Sequence, residues 1–235
     1  MKDYIQNQLD AALHIFYPKL CLSCNVEWPI KNNAFCFECI MSMSYSIDFL
    51  QKDNAFMQKF YGRVPIEFGA SLLNFYKVSK TQDMMHRFKY KHQKRIGQVL
   101  GNELALKLKS CLFFNSPDLI IPVPLTRKKE ALRGYNQAWV IGNEISKELN
   151  ITIRKDVLLK KEETKTMTRK GRAERAMAAF SSLMINNAGS LKGKHVLIVD
   201  DIMTTGATLE SCALKLLEHE VGLLSFVTLA SAKSR

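Results

Sequence analysis

Apolar residues recur along the chain with two periods, and the alternation between them outlines the fold. Ile5, Leu9, Ala12, Leu13 and Phe16 fall at helical spacing and predict a short amphipathic helix over 4–18, ended by Pro18. Ala70 to Tyr76 alternates weakly and predicts a strand. Ser79 to Lys109 is mostly helical, with Met84, Met85, Phe88, Ile96, Val99, Leu100, Leu104 and Leu108 on one side. The compact run Leu119-Ile-Ile-Pro-Val123 predicts a buried parallel strand, and Asn136 to Leu149 a helix stopped by Asn150. Val157 to Leu159 suggests a further strand. Lys160 to Arg175 has no apolar period and is expected to be a long, mobile loop. His195 to Val199 is the clearest central strand. A helix follows over Thr205 to His219, burying Leu209, Cys212, Ala213, Leu216 and Leu217, and then a strand over Gly222 to Leu229. Residues 44–64 show no pattern and are assigned no element. Strand–helix–strand alternation with apolar strands predicts an α/β protein, a parallel sheet flanked by helices.

With 235 residues, 47% of them hydrophobic, the chain can hold one α/β domain and a small accessory module. We expect the module over residues 1–60 and the α/β domain over 61–235. No run of about 18 apolar residues is present, as a membrane span would require, and the start lacks an apolar signal core. A cytoplasmic protein is therefore expected. The net charge of +12 is concentrated locally: Lys77 to Lys109 carries nine basic residues against two acids, and Arg127 to Arg175 fourteen against seven. Such stretches suit phosphorylated small molecules or nucleic acid, the alternative being a solvated basic face without a partner.

Four of the six cysteines form a pattern. Cys21-Leu-Ser-Cys24 is followed by Cys36-Phe-Glu-Cys39, two knuckles that can aim four thiolates at one point. A closed structural zinc site is the leading reading, with an iron–sulfur ligand set or two redox pairs as alternatives. Trp28-Pro29 and Asn32-Asn33 suit the turn between the knuckles. A four-thiolate site has no open position, so its expected work is folding a segment too short to have its own core. Cys111 and Cys212 stand in apolar contexts and are expected to be core residues.

The densest chemistry follows the central strand. It runs into Asp200-Asp201, then into Thr204-Thr-Gly-Ala-Thr208, then into a helix. Backbone amides and the positive end of a helix dipole make an anion site there, Gly206 lets the backbone come close, and three threonines add hydroxyl donors. Two carboxylates beside a bare phosphate would repel it. They make sense if they accept hydrogen bonds from sugar hydroxyls or hold a hydrated Mg²⁺, so the spacing specifies a sugar phosphate. The alternative is that the acids merely end a strand and cap a helix.

Val196-Leu-Ile-Val-Asp-Asp-Ile-Met-Thr-Thr-Gly-Ala-Thr208 resembles the motif by which type I phosphoribosyltransferases bind phosphoribosyl pyrophosphate (PRPP). Four further features accompany it: the four-cysteine ribbon, Phe88-Lys-Tyr-Lys91, Ile121-Pro-Val-Pro-Leu125 and Arg133-Gly-Tyr-Asn-Gln137. Together they resemble the ComF family of bacterial competence-associated, phosphoribosyltransferase-like proteins, from about Phe16 to Thr228. The resemblance implies a type I phosphoribosyltransferase-like fold with an N-terminal four-cysteine zinc ribbon. It implies that Asp200 and Asp201 contact ribose hydroxyls and that Thr204, Thr205, Gly206, Ala207 and Thr208 hold the 5-phosphate. Pro122 to Lys128 falls at the family's pyrophosphate loop, where Arg127, Lys128 and Lys129 would neutralise the leaving group. Asp200, Asp201, Arg127 and Lys128 are then the candidate catalytic residues, with structural zinc and PRPP-associated Mg²⁺ as cofactors. Arg169, Arg172 and Arg175 fall where such enzymes carry a lid.

The chain departs from the pattern in three places. Thr204 stands where purine transferases of this fold often place an acid, Met167 stands where relatives commonly have Gln, and Arg175-Ala-Met-Ala-Ala-Phe180 lacks an expected Asn. Two functions are implied. One is a phosphoribosyltransferase releasing pyrophosphate, with PRPP or another ribose 5-phosphate as ligand. The other is a non-catalytic competence factor for DNA uptake, whose partners would be single-stranded DNA and competence or DNA-processing proteins.

Smaller features read as follows. Tyr135 and Asn136 suit either the ligand cleft or a helix start capped by Asn136. Lys89-Tyr90-Lys91 reads as a packed tyrosine between solvated lysines, with a single-strand nucleic-acid surface as the alternative. The five histidines form no ligand spacing.

Overall fold

The structure, a computed structural model, describes residues 20–26, 34–77, 79–162 and 180–233. The helix expected over 4–18, the turn at 28–33, and Met167, Arg169, Arg172 and Arg175 lie outside the described residues.

Four parallel strands form the main sheet. β5 (His195–Met203) lies between β6 (Leu223–Ala232) and β2 (Leu119–Pro122), and β1 (Phe68–Phe75) closes the other edge in the order β1-β6-β5-β2. Both faces are covered, as an all-parallel sheet requires. The alternation of β5 shows how. Leu197 and Val199 enter a core shared with α2 (Lys80–Tyr90), α3 (Lys94–Lys109) and α5 (Gln137–Leu149). Val196 and Ile198 enter a second core beneath α6 (Ala207–Leu217). The first core also takes in Cys21, Phe35, Cys36, Cys39 and Met43, so the cysteine segment with its short helix α1 (Phe37–Ser42) packs continuously with β1.

Local signals place the helix ends. The Ser79 hydroxyl accepts the Gln82 amide, and the Asn136 side chain accepts the amides of Ala138 and Trp139. Asn150, left-handed at φ 54°, stops α5. The helical stretch expected over 79–109 is two helices, broken at His92, which also has a positive φ. α4 (Arg127–Arg133) follows β2. A separate antiparallel hairpin, β3 (Leu158–Lys160) with β4 (Leu183–Ile185), stands beside it.

Segment 44–64 is structured. It forms two 3₁₀ turns, Asp48–Leu50 and Met57–Phe60, held by the Asn54 amide. Asn54 Nδ2 donates to the carbonyls of Asp48 and Gly69 at 2.9 Å each, and its oxygen accepts the amides of Phe56 and Met57. Phe56 and Phe60 are thereby driven fully into the second core, Phe60 meeting Phe226 edge-on at 4.9 Å. β5 also runs past Val199, through both acids to Met203, because β6 continues to pair with it as far as Ser231.

Candidate functional site

At the carboxyl end of β5 the chain turns through Thr204, Thr205 and Gly206 into α6, the place where open α/β sheets bind ligands. Gly206 has φ +80° and caps the helix. Among the described residues, the amides of Thr205, Gly206 and Thr208 have no protein acceptor, and the Ala207 amide makes only a long bond of 3.4 Å to the Thr205 hydroxyl. Thr204, Thr205, Ala207 and Thr208 are exposed. The turn therefore presents open donors at the positive end of a helix.

The turn is braced from behind by segment 57–63. Arg63 donates to the Thr205 carbonyl at 3.0 Å and the Lys59 carbonyl at 2.8 Å, and pairs with Glu210 on the first turn of α6. The Lys59 ammonium donates to Ala232 O at 2.9 Å and the Ser231 hydroxyl at 3.2 Å, reaching Thr204 O at 3.5 Å. Burial holds Lys59 below its usual range. Neither cation is legible as a site residue in the sequence, since both lie in the stretch without a pattern.

The two acids differ. Asp201 is 6% exposed, and its Oδ1 pairs with Lys89 Nζ of α2 at 2.9 Å. Asp200 is half-buried, and its Oδ1 accepts the Asp201 amide at 2.8 Å. Burial, and then the neighbouring Asp201 charge, push the Asp200 carboxyl up to about 7, against the pull of that amide, Lys89 and Arg133. Arg133 donates to Gln137 Oε1 at 2.9 Å and sits 5.3 Å above the Tyr90 ring. Lys89 is thus no solvated neighbour of a packed tyrosine: it is the counter-ion of a buried acid, while Tyr90 is 50% exposed.

Arg127, Lys128 and Lys129 stand on the exposed first turn of α4, which Thr126 caps through the Lys129 amide. Among the described residues no hydrogen bond or ion pair joins them to the acids or the turn. The Lys128 amide donates to Glu162 at 2.8 Å, and Arg127 lines a cleft of about 730 Å³ between the end of β2 and the β3–β4 hairpin. Asn136 serves as a helix cap, and Tyr135 donates its hydroxyl to Phe88 O.

The thiol sulfurs of Cys21, Cys24, Cys36 and Cys39 all lie within 4.8 Å of one another. Zinc–sulfur bonds of 2.3 Å in a tetrahedron require sulfurs about 3.8 Å apart. Cys24 and Cys36 are 3.7 Å apart. The Cys21 sulfur also accepts the amides of Cys36 and Ser23, as a thiolate does. Burial pushes that thiol up, but these amides and that of Cys24 outweigh it and bring it down to about 6. Burial raises Cys39 to about 12. The cluster can hold a metal ion. Cys212 is buried on the inner face of α6, and Cys111 donates to Phe49 O, so neither joins the set.

A phosphoribosyl transferase domain model matches residues 136–235. Together with the parallel sheet and its flanking helices, this defines the chain as a protein with a type I phosphoribosyltransferase fold. It is similar to competence protein F of Haemophilus influenzae, 28% identical over 203 residues, covering 84% of this chain and 83% of the relative. It is also similar to competence protein ComFC of Bacillus subtilis, 26% identical over 137 residues, and to DNA utilization protein YhgH of Escherichia coli strain K12, 26% identical over 144. Those two matches cover 58% of this chain, and 53% and 60% of the relatives. The chain resembles the ComF family. Among solved structures, the glutamine PRPP amidotransferase of B. subtilis complexed with ADP and GMP aligns at a TM-score of 0.44 and 14% identity, covering 61% of this chain and 30% of that one. No helix among the described residues is long and apolar enough to cross a membrane.

Proposed function

We propose that the protein binds PRPP, or another ribose 5-phosphate, at the end of β5. The observation that carries this reading is the open amides of Thr205, Gly206 and Thr208 at the start of α6, directly after an acid pair. The amides and threonine hydroxyls take the 5-phosphate, and the carboxylates of Asp200 and Asp201 accept the ribose hydroxyls. Mg²⁺ bound with PRPP would supply countercharge to the pyrophosphate. If turnover occurs, an acceptor nitrogen forms a bond to the anomeric carbon as the bond to the pyrophosphate oxygen breaks. The electron pair leaves with pyrophosphate, and Arg127 and Lys128 supply countercharge from α4. The four cysteines would hold zinc and so keep residues 20–26 and 34–43 folded against β1. Thiols held ready for a metal suit a reducing, cytoplasmic setting.

Calorimetry with PRPP and Mg²⁺ tests the site. We expect wild type to bind and Asp200→Asn/Asp201→Asn to lose binding; no binding by wild type overturns the reading. Pyrophosphate release across a panel of bases tests turnover.

The relatives named for competence and DNA utilization favour a second reading, in which the protein handles incoming single-stranded DNA without turnover. Its basic stretches would meet phosphates, and binding should weaken steeply as salt is added. A flat salt response overturns it.

A further inference from the structure

Helix α2 touches two sites on opposite faces. Arg87 and Lys89 are two residues apart, about 200° around the helix axis. Arg87 turns toward the first cysteine knuckle. Its guanidinium donates to the Leu22 carbonyl at 2.8 Å, to the Ser23 carbonyl, and to Asn25 Oδ1 at 2.7 Å. Lys89 turns toward the sheet and closes on Asp201. Between them Phe88 is fully buried and accepts the Tyr135 hydroxyl at its carbonyl, which fixes the rotation of the helix.

The Lys89–Asp201 pair differs from an ordinary surface ion pair. The Asp201 side chain is 9% exposed and that of Lys89 21%, so neither charge can relax freely into water. Deleting one partner leaves the other charge buried and uncompensated, and the survivor reorients. Asp201 is also one of the two acids assigned to the ribose hydroxyls, so its carboxylate direction decides whether those hydroxyls are met. An ammonium has three donors and a carboxylate has free lone pairs beyond one bond. The pair can therefore persist while Asp201 accepts a hydroxyl.

We propose that Lys89 is a positioning residue of the sugar-phosphate site. It holds Asp201 in the orientation that receives ribose, and it is itself set by Arg87, which ties the same helix to the cysteine knuckle. This rests on the ligand reading above. It adds that the metal ribbon and the ligand site share one rigid part, so the order of the Cys21–Cys24 knuckle supports the affinity of a site on the other side of α2.

The experiment is calorimetry with PRPP and Mg²⁺ on wild type, Lys89→Met, Lys89→Arg, Asp201→Asn and the Lys89→Met/Asp201→Asn double variant. Lys89→Met should weaken binding about tenfold or more, as loss of a buried charge partner does. Lys89→Arg should restore most of it. The double variant should bind about as Asp201→Asn alone, because the lysine acts through that acid. Arg87→Met should speed amide hydrogen exchange over Leu22 to Asn25 and weaken PRPP binding in the same protein.

Wild-type binding with Lys89→Met unchanged, or additive losses in the double variant, overturns the positioning role and leaves the ligand reading standing. Faster exchange at the knuckle with unchanged affinity in Arg87→Met overturns the link to the ribbon. Failure of wild type to bind PRPP overturns the ligand reading and this inference with it.

Discussion

The ring of Phe60 lies against the backbone of Gly206, so close that a Cβ on the glycine would come within 2.8 Å of a ring carbon. The two residues belong to distant parts of the chain, and their contact sets how low the threonine–glycine turn sits over the second core. Gly206 also has φ +80°, which an alanine adopts only under strain. Gly206→Ala should therefore cost about 1–3 kcal/mol of stability and lift the turn away from its brace. Chemical denaturation and PRPP titration of the variant should show both losses; an unchanged affinity would mean the turn does not hold the phosphate.

Asp200 gives the protein a pH signature. Burial and the Asp201 charge raise the carboxyl to about 7 in the folded state, whereas in the unfolded chain it ionises near 3.8. Between those values the folded state binds more protons. This group's contribution is fully present below about pH 4 and is lost as pH rises toward 7. Asp200→Asn should remove that decline. Subtracting the variant's unfolding midpoints from those of wild type across pH 4–8 isolates the effect, and parallel profiles would contradict it.

Arg63 should matter more for ligand than for stability. Its pair with Glu210 is about a third exposed and contributes roughly 1 kcal/mol or less, but its bond to Thr205 O steadies the turn. In Arg63→Met the melting temperature should move little while PRPP affinity falls several-fold. A large thermal shift with intact affinity would assign Arg63 to the core's stability instead.

Much of this architecture was legible in the sequence. Four consecutive apolar residues before Asp200, a Thr-Thr-Gly turn and two asparagines bracketing α5 each carry their own physical cause within a few residues. So do the paired knuckles of four cysteines. Lys89, Arg63 and Lys59 carry no such signal, because what makes each functional lies far along the chain: Asp201, Thr205 and the carbonyl of Ala232. A lysine beside an exposed tyrosine has the same local appearance whether it faces water or a buried acid. Segment 44–64 escaped for a related reason. Its buried apolar residues are few (Phe56, Met57, Phe60 and Val64), and its organising group is the single amide of Asn54, which leaves no mark in an apolar pattern.

The cysteine cluster should behave as a structural metal site. Purified protein should contain about one metal ion per chain, and Cys39→Ser or a strong chelator should release it. Because Cys21, Cys36 and Cys39 share a core with Phe68 and Phe88, the melting temperature should fall by several degrees. Cys212→Ser should keep the metal. Retention of metal in Cys39→Ser, measured by elemental analysis, would remove that cysteine from the ligand set.

Strand β1 occupies an edge of the sheet, and β6 is bonded on both sides only because β1 is there. The stretch matched by the phosphoribosyl transferase model begins at residue 136, after β1, Lys59, Arg63 and Lys89 have already been made. A fragment cut at that point would retain every letter of the acid and threonine motif. It would also bare the amides and carbonyls of β6 to the next molecule in solution. Such a fragment should clump before it could bind anything: the stretch that the domain model matches is shorter than the stretch that folds.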